Sequence, residues 1–120
     1  MTMISQNLKD LQWKKRAVVI YSSTFQDPQA QEQVKLLKEN KEKFSELKLV
    51  VIEHSNDGER MNFENIDAQT DHEELKGFKV FLVGLDGGVK FESSTVQPAQ
   101  KFFDLINSMP MRQSEIRNKG

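Results

Sequence analysis

No cysteine occurs in this chain of 120 residues. Disulfides, thiolate metal sites and cysteine catalysis are therefore excluded. The compartment stays open, because cytosolic and exported proteins alike can lack the residue. Charge of one sign is also missing: 17 basic and 18 acidic residues give a net charge of −1. Such a balance creates no global field to collect nucleic acid or an anionic membrane surface. Apolar runs extend only a few residues, so no segment reads as a membrane span. Proline is confined to Pro28, Pro98 and Pro110, and each marks a helix boundary in the readings below. The chain shows no repeat, no low-complexity tract and no linker.

What remains is a soluble, globular balance, with 37% hydrophobic and 29% charged residues. At this length a single domain builds its core without disulfides or metal. Residues 1–12 read as an N-terminal arm with no visible targeting segment. Ala17–Tyr21 (AVVIY) and Leu49–Ile52 (LVVI) are β-branched runs that read as buried parallel strands. Between them, Asp27-Pro28 is a strong helix start, with a carboxylate at the N-cap and proline at N1. Ala30, Val34 and Leu37 then recur at helical spacing, and the helix is expected to reach about Glu42. Strand, helix, strand in this order favours a right-handed crossover.

The second half opens with Ser55–Thr70, which has no clear period. Asn56-Asp57-Gly58 reads as a turn, and Asp71–Lys76 as one or two helical turns. Val80–Gly84 and Val89–Phe91 flank Asp86-Gly87-Gly88, the signature of a hairpin with a type I′ turn. Thr95–Met109 follows as a helix with one apolar stripe of Ala99, Phe102, Phe103 and Ile106. Pro110 is read as its end and residues 111–120 as a polar tail. The expected architecture is α/β, with a central mixed sheet of about four strands and helices on both faces.

Three short motifs carry a family resemblance: Trp13-Lys14-Lys15-Arg16 before the first strand, Gly84-Leu85-Asp86-Gly87-Gly88-Val89-Lys90, and Met109-Pro110-Met111-Arg112 with Glu115. In this order and spacing the chain resembles small thioredoxin- and peroxiredoxin-like domains of unknown function. These occur as stand-alone bacterial proteins and within animal sushi-repeat-containing and related extracellular-matrix proteins. The resemblance implies a thioredoxin-like fold, no established enzyme activity and frequent export to the periplasm or beyond the cell, with a cytoplasmic chain as the alternative. The thiol pair of that fold is absent, and Gly77-Phe78-Lys79 stands where thioredoxins carry a cis-proline. The family often has a basic residue where this chain has Leu85.

Two groups of residues are candidate ligand contacts. The loop Ser22, Ser23, Thr24 to Asp27 precedes a helix N-terminus, which favours anions. Against this, Asp27 fills the cap itself. Arg16, Lys90 and Arg112 belong to the family-like motifs and, if they converge, form a cationic pocket for a carboxylate or phosphate. Alternatively each pairs with Asp86, Glu115 or another local carboxylate and holds the C-terminus to the sheet. His54 and His72 with Asp57, Glu59 or Glu73 lack metal-ligand spacing, so no metal or cofactor is expected. Nor does a Gly-x-Ser-x-Gly elbow accompany the Ser, His and Asp residues present. Trp13 reads as a lid on the core. Met61, Met109 and Met111 are candidates for an adaptable contact surface.

Three functions stay open: a non-enzymatic protein-binding module, a small-anion or carboxylate-binding domain, and a cysteine-free enzyme using Asp27 or a carboxylate in Asp57–Asp71. The partner and the oligomeric state are not legible, and neither nucleic-acid binding nor membrane insertion is expected.

Overall fold

The computed structural model describes residues 11–66 and 75–119. Arg16–Ser22 forms β1, Leu49–Ser55 β2, Gly58–Met61 β3, Glu64–Ile66 β4, Phe78–Val83 β5 and Val89–Ser93 β6. Helices span Pro28–Lys38 (α1), Phe44–Leu47 (α2), Ala99–Asn107 (α3) and Pro110–Lys119 (α4), with a 3-10 turn at Lys41–Lys43. The strands lie in the order β4-β3-β2-β1-β5-β6. β1 runs parallel to β2, Val18 opposite Val51, and antiparallel to β5, Val18 opposite Leu82.

The period of two along β1 divides the sheet into two faces. Val18 and Ile20 point with Val51, Val80 and Leu82 into the larger cluster. There they meet Ala30 and Leu37 of α1, Phe44 and Leu47 of α2, and Phe102, Phe103 and Ile106 of α3. Ala17 and Val19 point the other way, with Val50, Ile52, Phe81 and Val83. That second face is packed by the partly buried Leu11, Tyr21 and Met61. Among the described residues, then, the helical side chains gather on one face, where the sequence suggested both. The helix expected over Asp71–Lys76 falls mostly on residues 71–74, and the arm mostly on 1–10, both outside the described residues.

Four expectations are corrected. The sheet has six strands rather than about four, because the unreadable stretch after Ser55 supplies β3 and β4. α1 stops at Lys38, and the chain continues through the 3-10 turn into α2. α3 covers only Ala99–Asn107 of the expected Thr95–Met109, and Pro110 begins α4, occupying the first helical turn where its missing N–H costs nothing, so residues 111–119 are helix and not a tail. Finally, only Gly87 of the Asp86-Gly87-Gly88 segment has positive φ, at 83°. A type I′ turn needs two such residues. The loop is instead closed by Gly87 N–H to Gly84 C=O at 3.0 Å and by Gly84 N–H to Gly88 C=O at 2.9 Å.

Two consecutive positive φ values do occur between β3 and β4, at Asn62 (49°) and Phe63 (73°). Tertiary contacts hold this turn. Asn62 N–H donates to Val51 C=O at 2.8 Å, and Asn62 Oδ1 accepts from Val51 N–H at 3.0 Å. Phe63 meanwhile packs against Phe44, ring centres 6.3 Å apart. A second amide clasp joins α1 to the entry of α3. Gln33, fully buried, donates to Gln97 C=O and accepts from Gln97 N–H, both at 2.8 Å.

Val51 is fully buried, so its N–H has no water to fall back on if Asn62 is lost. Asn62→Ala should therefore cost about 2 kcal/mol, the range for an orphaned buried donor. Urea unfolding measures it; a change below about 0.5 kcal/mol would show that the turn does not depend on this clasp.

Candidate functional site

Arg16 opens β1 on the helical face and is 1% exposed. One guanidinium nitrogen donates to Leu47 C=O at 2.8 Å, an end carbonyl of α2. Glu115 of α4 accepts from the two terminal nitrogens, at 3.4 and 3.1 Å. Arg112, also buried, reaches the same carboxylate at 3.4 Å, Glu46 Oε1 at 3.2 Å and Asn107 Oδ1 at 3.1 Å. Lys48 stands 3.9 Å from Glu115. Burial pushes the Glu115 carboxyl up, but the hydrogen bond and charge of Arg16, the charge of Lys48 and the hydrogen bond of Arg112 outweigh it, and the net shift is downward. Two of the three predicted cations thus converge, and on a carboxylate of the chain itself.

Lys90 takes the local route. Its ammonium lies 2.8 Å from Asp86, whose carboxyl is held below its usual range by that bond and by Gly88 N–H. Gly84 leaves room for this: a Cβ there would stand 2.7 Å from Lys90 Cε. Arg16 and Lys90 nevertheless share a cavity of about 280 Å³, walled by Gly84, Leu85, Asp86, Met109, Pro110 and Met111. Nε of Arg16 is buried without a hydrogen-bond partner among the described residues. Trp13 is not a lid on the core: it is 63% exposed, and its N–H donates to Leu85 C=O at 2.5 Å. Val89 (52% exposed) and Met111 (43%) leave further apolar surface beside the same loop and helix.

The three motifs, separate in sequence, therefore meet at one end of the sheet. Gln12 and Trp13 bond the 84–88 loop, Arg16 bonds Glu115, and Leu85 shares the cleft with Met109 and Met111.

At the other end, the carboxyl ends of β1 and β2, the serine-threonine loop is internally satisfied. Ser22 Oγ donates to Thr24 C=O at 3.0 Å. Thr24 Oγ1 and Phe25 N–H both donate to Asp57, at 2.5 and 3.0 Å, and these bonds lower the Asp57 carboxyl below its usual range. Ser23 C=O accepts from Asn56 Nδ2 at 3.0 Å. Asp27 caps α1, accepting from Gln29 N–H at 2.8 Å and Ala30 N–H at 3.2 Å. A chain carboxylate thus already fills the anion position that the loop offered.

Beside that loop lies a larger cavity, about 440 Å³, lined by Phe25, Val34, Lys35, Lys38, Glu53 and Arg60 among others. Sequence reading missed Glu53 and Arg60. The signal was there: Glu53 follows LVVI without a turn residue, so a strand continued to Ser55 must bury it. On the opposite face, His54 Nδ1 lies 2.9 Å from Glu59 Oε2, both side chains buried. The Tyr21 hydroxyl beside them is pushed up by burial and by the Glu59 charge. His72 and Glu73 lie outside the described residues, among which no group of three ligand-type side chains could hold a metal ion.

Residues 7–115 match the family described as "Domain of unknown function (DUF4174)". No curated protein matches the chain.

The Arg16–Glu115–Arg112 cluster can be tested on stability. Glu115→Ala leaves two buried guanidinium groups facing each other and should cost on the order of 3 kcal/mol. Because the folded-state pKa of Glu115 is lowered, the folded protein binds fewer protons here than the unfolded chain. The contribution is full above about pH 4.5 and is lost as pH falls through the lowered value. In urea titrations at several pH values, Glu115→Gln should flatten that acid limb. An unchanged limb would show that another carboxylate carries it.

Proposed function

We propose that this chain, which belongs to the DUF4174 family of domains of unknown function, is a non-enzymatic module that binds a protein segment in the cleft between the 84–90 loop and the α3–α4 junction. A thioredoxin-like ancestry accords with the strand order β2-β1-β5-β6, in which β1 is parallel to β2 while β5 and β6 alternate in direction. The missing cysteine removes thiol chemistry from such a scaffold and leaves its surface for recognition.

The observation that carries the reading is the convergence of the three motifs on one mainly apolar cleft. Leu85, Met109 and Met111 offer polarizable and aliphatic walls that repack around a guest side chain. Trp13, Val89 and Met111 extend the apolar area outside the cavity, a surface better matched to a peptide than to a small molecule. Lys14 and Lys15, exposed between Trp13 and Arg16, add positive charge to the same end. The favoured guest is therefore a segment with a large apolar residue flanked by acidic ones.

Panning a random peptide library on the intact chain tests this. Selected sequences should combine an apolar anchor with Asp or Glu. Their affinity should fall at least about tenfold on Met111→Lys, a surface change that spares the fold. Amide shifts on binding should map to residues 12–16, 84–90 and 109–112. Peptides that bind Met111→Lys as tightly as wild type, or that shift only other regions, would refute the proposal. Failure to select any binder, with small carboxylates shifting the same amides instead, would make this a small-ligand cleft.

A further inference from the structure

The cavity at the opposite end of the sheet has a chemistry of its own. Glu53 lies in β2 on the helical face and is 5% exposed. One of its oxygens faces Arg60 at 3.5 Å; the other, Oε2, is buried with no hydrogen-bond partner among the described residues. An ionised carboxylate in this position keeps one oxygen desolvated and unpaired, which is costly. Burial accordingly pushes the carboxyl up, against the opposing charge and hydrogen bond of Arg60 and the charge of Lys38. When Glu53 is neutral, its O–H is a donor in want of an acceptor.

The groups around it supply cations. Arg60 from β3 stacks over the Phe25 ring, 3.9 Å from guanidinium carbon to ring centre, and so is held in place at the wall. Lys35 and Lys38 project from α1, and Lys38 is steadied above the Phe63 ring at 5.6 Å. Glu39 is the other acid lining the cavity, so three cations face two carboxyls. β1 contributes only Ile20 beside Glu53. With Glu53 neutral, the lining is two positive charges in excess and contains one unmatched donor.

We propose that this cavity binds a small oxyanion, a carboxylate or a sulfate- or phosphate-like group, held by Arg60, Lys35 and Lys38 with the buried carboxyl of Glu53 at its wall. An anion seated there favours the protonated form of Glu53, because it repels the carboxylate and accepts from the carboxyl O–H. One proton from solvent is taken up for each anion bound wherever Glu53 is ionised beforehand. The site is independent of the peptide cleft, since the two lie at opposite ends of β1 and β2 and share no lining residue.

Sulfate is the probe for the test, because its charge does not change between about pH 5 and pH 8. Amide spectra of the intact chain are followed in sodium sulfate, with sodium chloride at equal ionic strength as the control. Sulfate should shift the amides of Phe25–Gln31, Lys35–Glu39, Glu53 and Arg60, and chloride should not. Affinity should fall as pH rises through the range where Glu53 ionises, by up to about tenfold per pH unit. Glu53→Gln, which keeps a donor at the same place, should bind sulfate with no such pH dependence. Arg60→Ala should bind at least about tenfold more weakly, and the surface pair Lys35→Ala/Lys38→Ala makes the same test should Arg60→Ala not fold. Lys90→Ala, at the other end, should bind as wild type does. Equal shifts in chloride, shifts elsewhere in the chain, an undiminished affinity in the lysine pair, or a pH dependence that survives Glu53→Gln would each overturn the proposal. Acetate and phosphate in place of sulfate then distinguish a carboxylate ligand from a phosphate one.

Discussion

A buried guanidinium holds this molecule's second half to its first. Arg16 stands at the first position of β1, where the alternation of the strand sends its side chain under the helices rather than into water. Such a charge is tolerated only when paired and hydrogen-bonded. Leu47 and Glu115 meet that demand from two directions, one at the end of α2 and one on α4. Arg112 completes the arrangement by bridging Glu115 to Glu46. A helix whose own composition is polar is thereby fixed against the sheet by ionic contacts instead of an apolar stripe.

The position of that helix creates the cleft. With α4 held down, the Met109-Pro110-Met111 elbow stands opposite the 84–88 loop, and the space between them is closed below by Arg16. The loop is set in turn by Gly84, whose lack of a side chain lets Lys90 lie across to Asp86. In the proposed binding role, Arg16 and Glu115 pin the fold, while Leu85 and Met111 would face a guest. At the other end of the parallel strands the Ser22–Asp27 loop is spent on Asp57 and on the cap of α1. What remains open there is the wall made by Phe25, Arg60 and Glu53.

Much of this was legible from local signals. β-branched runs marked β1 and β2, Asp27-Pro28 marked the start of α1, and the Phe102, Phe103 and Ile106 stripe marked α3, because each follows from backbone preference and a periodicity internal to the segment. The pairing of Arg16, Lys90 and Arg112 with Glu115 or Asp86 was foreseen as one of two outcomes, and it is the one observed. β3, β4 and α4 escaped. β3 and β4 are short, with a turn at Asn62-Phe63 that depends on Val51 and Phe44, far away in sequence. α4 has no apolar period to read, since a buried arginine replaces it.

By itself the sequence determined a cysteine-free α/β chain, its two parallel central strands, its hairpin, one capped helix and one amphipathic helix, for these rest on local propensity and on burial of contiguous apolar groups. Tertiary structure alone decided which charges lie inside and whom they meet. A side chain such as Arg16 or Glu53 has the same intrinsic chemistry wherever it stands; whether its polar atoms are solvated, paired or left without a hydrogen-bond partner is set by the strands and helices that close over it.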